Sequence, residues 1–153
     1  MIHAYERINY LGASLEVQSW LKPLWPYDMP FDNWPSFCGA GEGIGDWLIP
    51  DGIDHADISP ACFIHDMDFA TLPRQWWPFQ CANNRFYSNI VALVETQIAD
   101  KKKLSDAYSK ARRYWIGVSV FGWWHFSPES ENPWQNKTVR DKLNRLAKAQ
   151  LLR

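Results

Sequence analysis

The sequence predicts a mainly α, single-domain protein built on two antiparallel helices, and three observations carry that reading. Ser59-Pro60 is a start signal, N-cap residue followed by first-turn proline, and the residues after it keep helical spacing. Between Ala82 and Asp100, Phe86, Tyr87, Ile90, Val91, Leu93, Val94 and Ile98 form a broad apolar stripe with a period near 3.6. Beyond that stripe, the stretch from about residue 105 to residue 151 repeats helical patterning and adds C-terminal helices.

Taken in order, the N-terminal third is the least patterned. Leu15 to Leu24 suits a short helix, and the proline-rich stretch Lys22–Pro35 reads as an irregular arm. A glycine-rich loop, Phe37-Cys38-Gly39-Ala40-Gly41-Glu42-Gly43-Ile44-Gly45, then precedes the first long helix. That helix places Cys62, His65, Asp66 and Phe69 at i, i+3, i+4 and i+7, on one face. The Pro-flanked segment Pro73–Pro78 joins it to the second helix. Asn83 lies on the stripe of Phe86, Tyr87 and Ile90, so one reading turns its amide inward toward the first helix. The other makes Asn83 or Asn84 the cap of the second.

Lys101-Lys102-Lys103 reads as a solvated break, after which Ser105 caps a third helix to about Val120. Its inward residues are Ala107, Tyr108, Ala111, Tyr114 and Trp115, and Gly122 ends it. Phe121–Phe126 either packs this helix back on the core or continues an exposed apolar patch; His125 is a packing or surface histidine. From Thr138 the tail is an amphipathic basic helix with Val139, Leu143, Leu146, Ala147 and Leu151 on one side. An ordinary surface helix and a membrane or partner contact both fit it.

The chemistry concentrates at two places. His65 beside Asp66 offers a proton acceptor and a hard anionic ligand. Four glycines in the seven residues 39–45 let backbone carbonyls turn toward a common point. Carbonyl oxygens with one carboxylate suit Ca2+, a hard cation that takes oxygen ligands.

These residues resemble the phospholipase A2 superfamily, in particular its short bacterial and viral members. Phe37-Cys38-Gly39-Ala40-Gly41 is similar to the family's calcium loop, and Cys62-Phe63-Ile64-His65-Asp66 to its catalytic helix. Ala82-Asn83-Asn84-Arg85-Phe86 looks like the Ala-Asp-x-x-Phe of the short members. The resemblance spans roughly residues 35–95. It implies that the carbonyls of Phe37, Gly39 and Gly41 and the carboxylate of Asp66 hold calcium. It implies too that His65 is the general base for a water attacking the sn-2 ester of a phospholipid, with calcium and the Gly39 N–H stabilising the oxyanion.

The chain departs from the family pattern in three places. Asn83 stands where the family carries an aspartate; its oxygen accepts the imidazole N–H but brings no full charge. Phe69 stands where a tyrosine is usual. The run from Gly41 to His65 is longer and contains Asp46, Asp51, Asp54 and Asp57, any of which is a candidate to replace the lost carboxylate or reach the metal. The implied disulfide joins Cys38 to Cys62, unless a reducing compartment keeps both as thiols; Cys81 is then a free thiol.

A chain of 153 residues buries a core without a second domain, and 46% apolar content argues against disorder. A net charge of −1 supplies no field for non-specific nucleic-acid binding. Ten tryptophans are many for this length. They fill an aromatic core and subunit contacts, or, at Trp76, Trp77 and Phe79, meet a phospholipid membrane surface, where indoles are favoured. A zinc site from Cys62, His65, Cys81 and His55 lacks CxxC or HExxH spacing. No run approaches the ~18 apolar residues of a membrane-spanning helix. The first residues lack signal-peptide character, which points to cytoplasmic synthesis or to a phage or secreted effector particle. Three functions follow: calcium-dependent phospholipid hydrolysis, a catalytically impaired calcium- or lipid-binding module of the same fold, and a structural or assembly protein making oligomer or particle contacts through its tryptophans.

Overall fold

The computed structural model describes residues 3–38, 52–53 and 55–152. The chain opens not with a helix but with a β-hairpin, strands β1 (Tyr5–Tyr10) and β2 (Ala13–Gln18), paired antiparallel with Ile8 opposite Leu15. Alternation explains it: Ile8, Tyr10, Ala13, Leu15 and Val17 are buried while neighbours such as Arg7 and Asn9 face out. The two-residue turn Leu11-Gly12 has positive φ at both positions, +50° and +91°, the twist that suits a tight hairpin. The short helix expected over 15–24 is therefore strand to Gln18 and a 3-10 turn only over Ser19–Leu24.

The proline-rich arm that follows is irregular in backbone and ordered by aromatic packing. Trp25 and Trp34 lie 5.4 Å apart and both contact Tyr10. Trp34 also meets Phe63, which packs 4.9 Å from Phe37. The Trp34 indole N–H donates to the Tyr10 hydroxyl at 2.8 Å, and that hydroxyl donates to the Met29 carbonyl. Each polar handle of this buried layer is thus used inside it, except the Trp25 Nε1.

Strands β3 (Gly52–Ile53) and β4 (Ala56–Asp57) form a minimal hairpin leading into α1 (Ser59–Thr71). The helix starts as expected, one residue displaced. Ser59 is its first residue, and Asp57 Oδ1 accepts the Ser59 N–H at 2.8 Å. Asp57 thereby serves the start of this helix. All of α1 except Asp66 and Phe69 is buried, so it threads the core instead of lying on it with one face.

Helix α2 (Trp76–Gln97) begins six residues earlier than the stripe suggests. Pro78 is in its first turn, where a missing N–H costs nothing, so the second half of the expected Pro-flanked loop is helix. From Asp57, just before α1, through His65 to Phe69, the partners Gln97, Asn83 and Phe79 come in falling order along α2, so the two helices are antiparallel. Helix α3 (Lys101–Phe121) takes the lysine run as its first turn, because Asp100, not Ser105, caps it through the amides of Lys102 and Lys103. Ala107 and Ala111 are buried as expected, whereas Tyr108, Tyr114 and Trp115 are only half-buried. Gly122 ends α3; a Cβ there would meet the Phe69 ring at 3.3 Å.

Helix α4 (Lys137–Leu151) is capped by Asn136, whose Oδ1 accepts the Val139 N–H. The same side chain donates to the Ala70 carbonyl at 2.7 Å, tying the start of α4 to the end of α1. Its buried face is Val139, Lys142 and Leu146; Ala147 and Leu151, expected on that face, are exposed. The architecture is mainly helical, and among the described residues no helix is long and apolar enough to cross a membrane.

Candidate active site

The site is built where α1 and α2 face each other. His65 is buried, its ring between Phe69 (4.1 Å between centroids) and a stacked Phe86 (4.4 Å). Its Nε2 lies 2.8 Å from Oδ1 of the fully buried Asn83. An amide oxygen has no proton to give, so Nε2–H donates, and Nδ1 keeps its lone pair. The inward reading of Asn83 holds and the capping one does not: seven residues of α2 precede it.

Electrostatically the imidazole is held neutral. Burial lowers its pKa from 6.5 to about 4; the bond to Asn83 opposes that, and Arg85 adds to it. Phe69 supplies packing and no hydroxyl. Asn83 Nδ2 is buried with no hydrogen-bond partner, an arrangement costing on the order of 1–3 kcal/mol where it persists.

Behind the pair lies a polar cluster that the sequence reading missed. Asp68, one turn after His65, receives a 2.6 Å bond from Arg85 of α2 and a 2.8 Å bond from Gln18 of β2. Burial pushes the Asp68 carboxyl up, and Arg85 and Gln18 pull against it. The Arg85 guanidinium also bonds Glu16 at 3.0 Å and lies 3.6 Å over the Tyr5 ring. Asn89 exchanges two hydrogen bonds with the Glu16 backbone, fastening β2 along α2. The visible signal was a charge inside each apolar run, Asp68 before Phe69 and Arg85 before Phe86.

The other half of the expected site turns away from His65. Adjacent residues on a helix point about 100° apart, and Asp66 faces α4, where Lys142 Nζ sits 3.0 Å from its Oδ2. The same ammonium is 5.8 Å from the Phe37 ring centroid, and Arg145 lies 4.7 Å over that ring while donating to the Ser36 carbonyl. Cys38 and Cys62 form a disulfide, which brings the start of the glycine-rich segment against α1; Cys81 is a free thiol. With Cys62 oxidised, the zinc alternative loses a ligand, and no cluster of three metal-ligating side chains occurs among the described residues.

Of the expected calcium ligands, Asp66 and Phe37 are thus adjacent through Lys142, whereas Gly39 and Gly41, with Asp46, Asp51 and Asp54, lie outside the described residues. The Asp66 carboxylate fits a hard cation in type. Its engagement by Lys142 means that a divalent ion there has to displace an ammonium. What the described geometry can do is hold a neutral histidine in one tautomer with its second nitrogen unprotonated, while the neighbouring carboxylate of Asp66 faces α4 and is paired with Lys142. No protein-family model matches this chain, and neither the curated proteins nor the solved structures contain a match to it.

Proposed function

We propose that this protein is a phospholipase A2-like esterase that hydrolyses the sn-2 ester of phospholipids with a water activated by His65. The carrying observation is the 2.8 Å contact between His65 Nε2 and Asn83 Oδ1 on facing antiparallel helices. Asn83 holds the Nε2–H tautomer. His65 Nδ1 takes the proton of the water whose oxygen bonds to the ester carbonyl carbon. The proton passes to the glycerol oxygen as its bond to that carbon breaks, giving a free fatty acid and a lysophospholipid. Calcium, when held by Asp66 with the carbonyls of Phe37, Gly39 and Gly41, would supply Lewis-acid polarisation of the ester. The Gly39 N–H is the proposed donor to the oxyanion.

The surface supports a lipid substrate. Trp76 and Trp77 at the start of α2 are 61% and 75% exposed. From Trp76 an aromatic chain runs through Phe79 (5.5 Å) and Phe69 (5.9 Å) to the His65 ring. Exposed indoles thus stand at the outer end of an aromatic path to His65, the composition that a lipid-facing entrance calls for.

A second reading, a binding module of the same fold with an impaired dyad, draws on two observations: the uncharged Asn83 behind His65, and Lys142 on Asp66. One experiment separates them, fatty-acid release from mixed phospholipid vesicles with calcium or EGTA, for wild type and His65→Ala. Calcium-dependent release abolished in the variant supports the esterase. Calcium binding with no release across head groups supports the module. Neither binding nor release leaves the third alternative, a structural or assembly protein.

A further inference from the structure

The paired helices α2 and α3 present a surface that is apolar and basic together. They meet at their aromatic ends, where Trp123 lies 5.9 Å from Trp76 and 5.3 Å from Phe79. Farther along, Asn84 accepts the Trp115 indole N–H at 3.0 Å, and Tyr87 packs 6.3 Å from the same residue. On α3, Arg112, Ile116 and Val120 stand at i, i+4 and i+8, a single stripe with Arg113 beside it. All four are exposed, as are Phe121 and Trp124 beyond them and Trp77 on α2.

Charge on this surface is one-sided. The stretches 69–94 and 107–128 contain no aspartate or glutamate, although the whole chain carries 17. Their exposed cations are Arg74, Arg112 and Arg113. Arg74 is fixed at the aromatic end, 4.3 Å over the Trp123 ring and bonded to that residue's carbonyl. Arg112 lines a cleft of about 270 Å³ between the helices, with Asn84, Tyr87 and Trp115. A chain of net charge −1 thus turns one positive, apolar face to its surroundings.

We infer that this face of α2 and α3 docks on a lipid surface carrying anionic head groups. The inference rests on the phospholipid reading above and adds the charge of the surface that the protein meets. Indoles are favoured at the boundary between hydrocarbon and water, and Ile116 and Val120 add apolar area to bury there. Arginines beside them are attracted to an anionic leaflet. A second copy of the chain fits this face poorly. A two-fold contact brings the same patch of both copies together, arginines included, with no carboxylate in either to offset them.

The test is co-sedimentation in EGTA with vesicles of phosphatidylcholine alone or mixed with phosphatidylglycerol. Wild type is compared with the double variants Arg112→Gln, Arg113→Gln and Ile116→Ser, Val120→Ser, whose exposed positions leave the core intact. Wild type should bind the anionic vesicles at least about tenfold more tightly than the neutral ones. The arginine variant should lose that preference, and the Ile116, Val120 variant should bind both kinds more weakly. Equal binding of wild type to both kinds, or a preference that the arginine variant keeps, overturns the proposal. So does a wild-type dimer in sedimentation velocity that the Ile116, Val120 variant breaks, because the face is then a contact between copies. A short-chain phospholipid dissolved as monomers, with calcium, reports on the esterase separately. His65-dependent release from it with failed docking removes the surface and keeps the activity; docking without release keeps the surface and removes the activity.

Discussion

Nε2 of His65 and Oδ1 of Asn83 stand 2.8 Å apart between two antiparallel helices, both side chains buried. The contact gives the histidine a defined tautomer without giving it a counter-charge, and the first prediction concerns that distinction. In wild type, long-range 1H–15N correlation should report His65 as the Nε2–H tautomer at neutral pH. Asn83→Asp places an opposite charge beside the ring, so the imidazole pKa should rise, by at least about one unit for a contact this close, and ester hydrolysis should increase. Asn83→Leu should lose the single tautomer with little net change in stability, because the imidazole N–H loses its acceptor while the unpartnered Asn83 Nδ2 leaves the core. A mixed tautomer in wild type contradicts the assignment of Asn83 as a positioning residue.

Acid stability follows from the same burial. Folding lowers the His65 pKa from 6.5 to about 4, so the unfolded chain binds the proton more tightly. Above pH 6.5 neither state is protonated there, and the effect is absent. As pH falls through 6.5 toward 4, the unfolded state gains a proton that the folded state refuses, and stability drops. By pH 4 the loss is on the order of 3 kcal/mol, an upper estimate. Urea denaturation at pH 7 and pH 4.5, comparing wild type with His65→Gln, checks it: the variant should lack this part of the acid slope.

The Asp68–Arg85 pair is buried on both sides, at 1% and 5% side-chain exposure. Arg85→Met leaves the Asp68 carboxyl in the core with only Gln18 and should cost about 3–5 kcal/mol. Pairing that change with Asp68→Asn removes the orphaned charge. The double variant should recover a large part of the loss, measured as a positive coupling in a denaturation cycle. Additive losses would mean the pair is not the unit described.

Trp76 and Trp77 separate a lipid surface from a merely exposed one. Both project from the start of α2, so Trp76→Ala with Trp77→Ala should change the melting temperature little. If the indoles enter a bilayer, burying ~100 Å² of each is worth roughly 5 kcal/mol together, and the double variant should bind phospholipid vesicles at least about tenfold more weakly by co-sedimentation. Unchanged vesicle binding would instead assign these tryptophans to protein contacts.

By itself the sequence determined the elements whose signals are local. A Ser-Pro start places α1 to within one residue, and a 3.6-residue stripe offers Asn83 as inward-facing, a reading that the structure chooses over the helix cap. Gly122 at the end of α3 was legible in the same way, whereas the Cys38–Cys62 pair was implied only by the family resemblance. The N-terminal hairpin was half legible: Ile8, Tyr10, Leu15 and Val17 alternate, but the turn is Leu11-Gly12 and lacks the Asn-Gly signature that marks such turns.

Tertiary structure alone decided the rest, because it depends on residues far apart in the chain. Asp68 carries no assignment in the sequence, and its role appears only when Arg85 and Gln18 meet it and Glu16 joins Arg85. Asp66 reads as a free ligand until Lys142, 76 residues away, meets it. Burial turns those charges from solvated groups into paired ones, and which partner arrives is set by how α4 and the hairpin pack, information that no local pattern in the sequence contains.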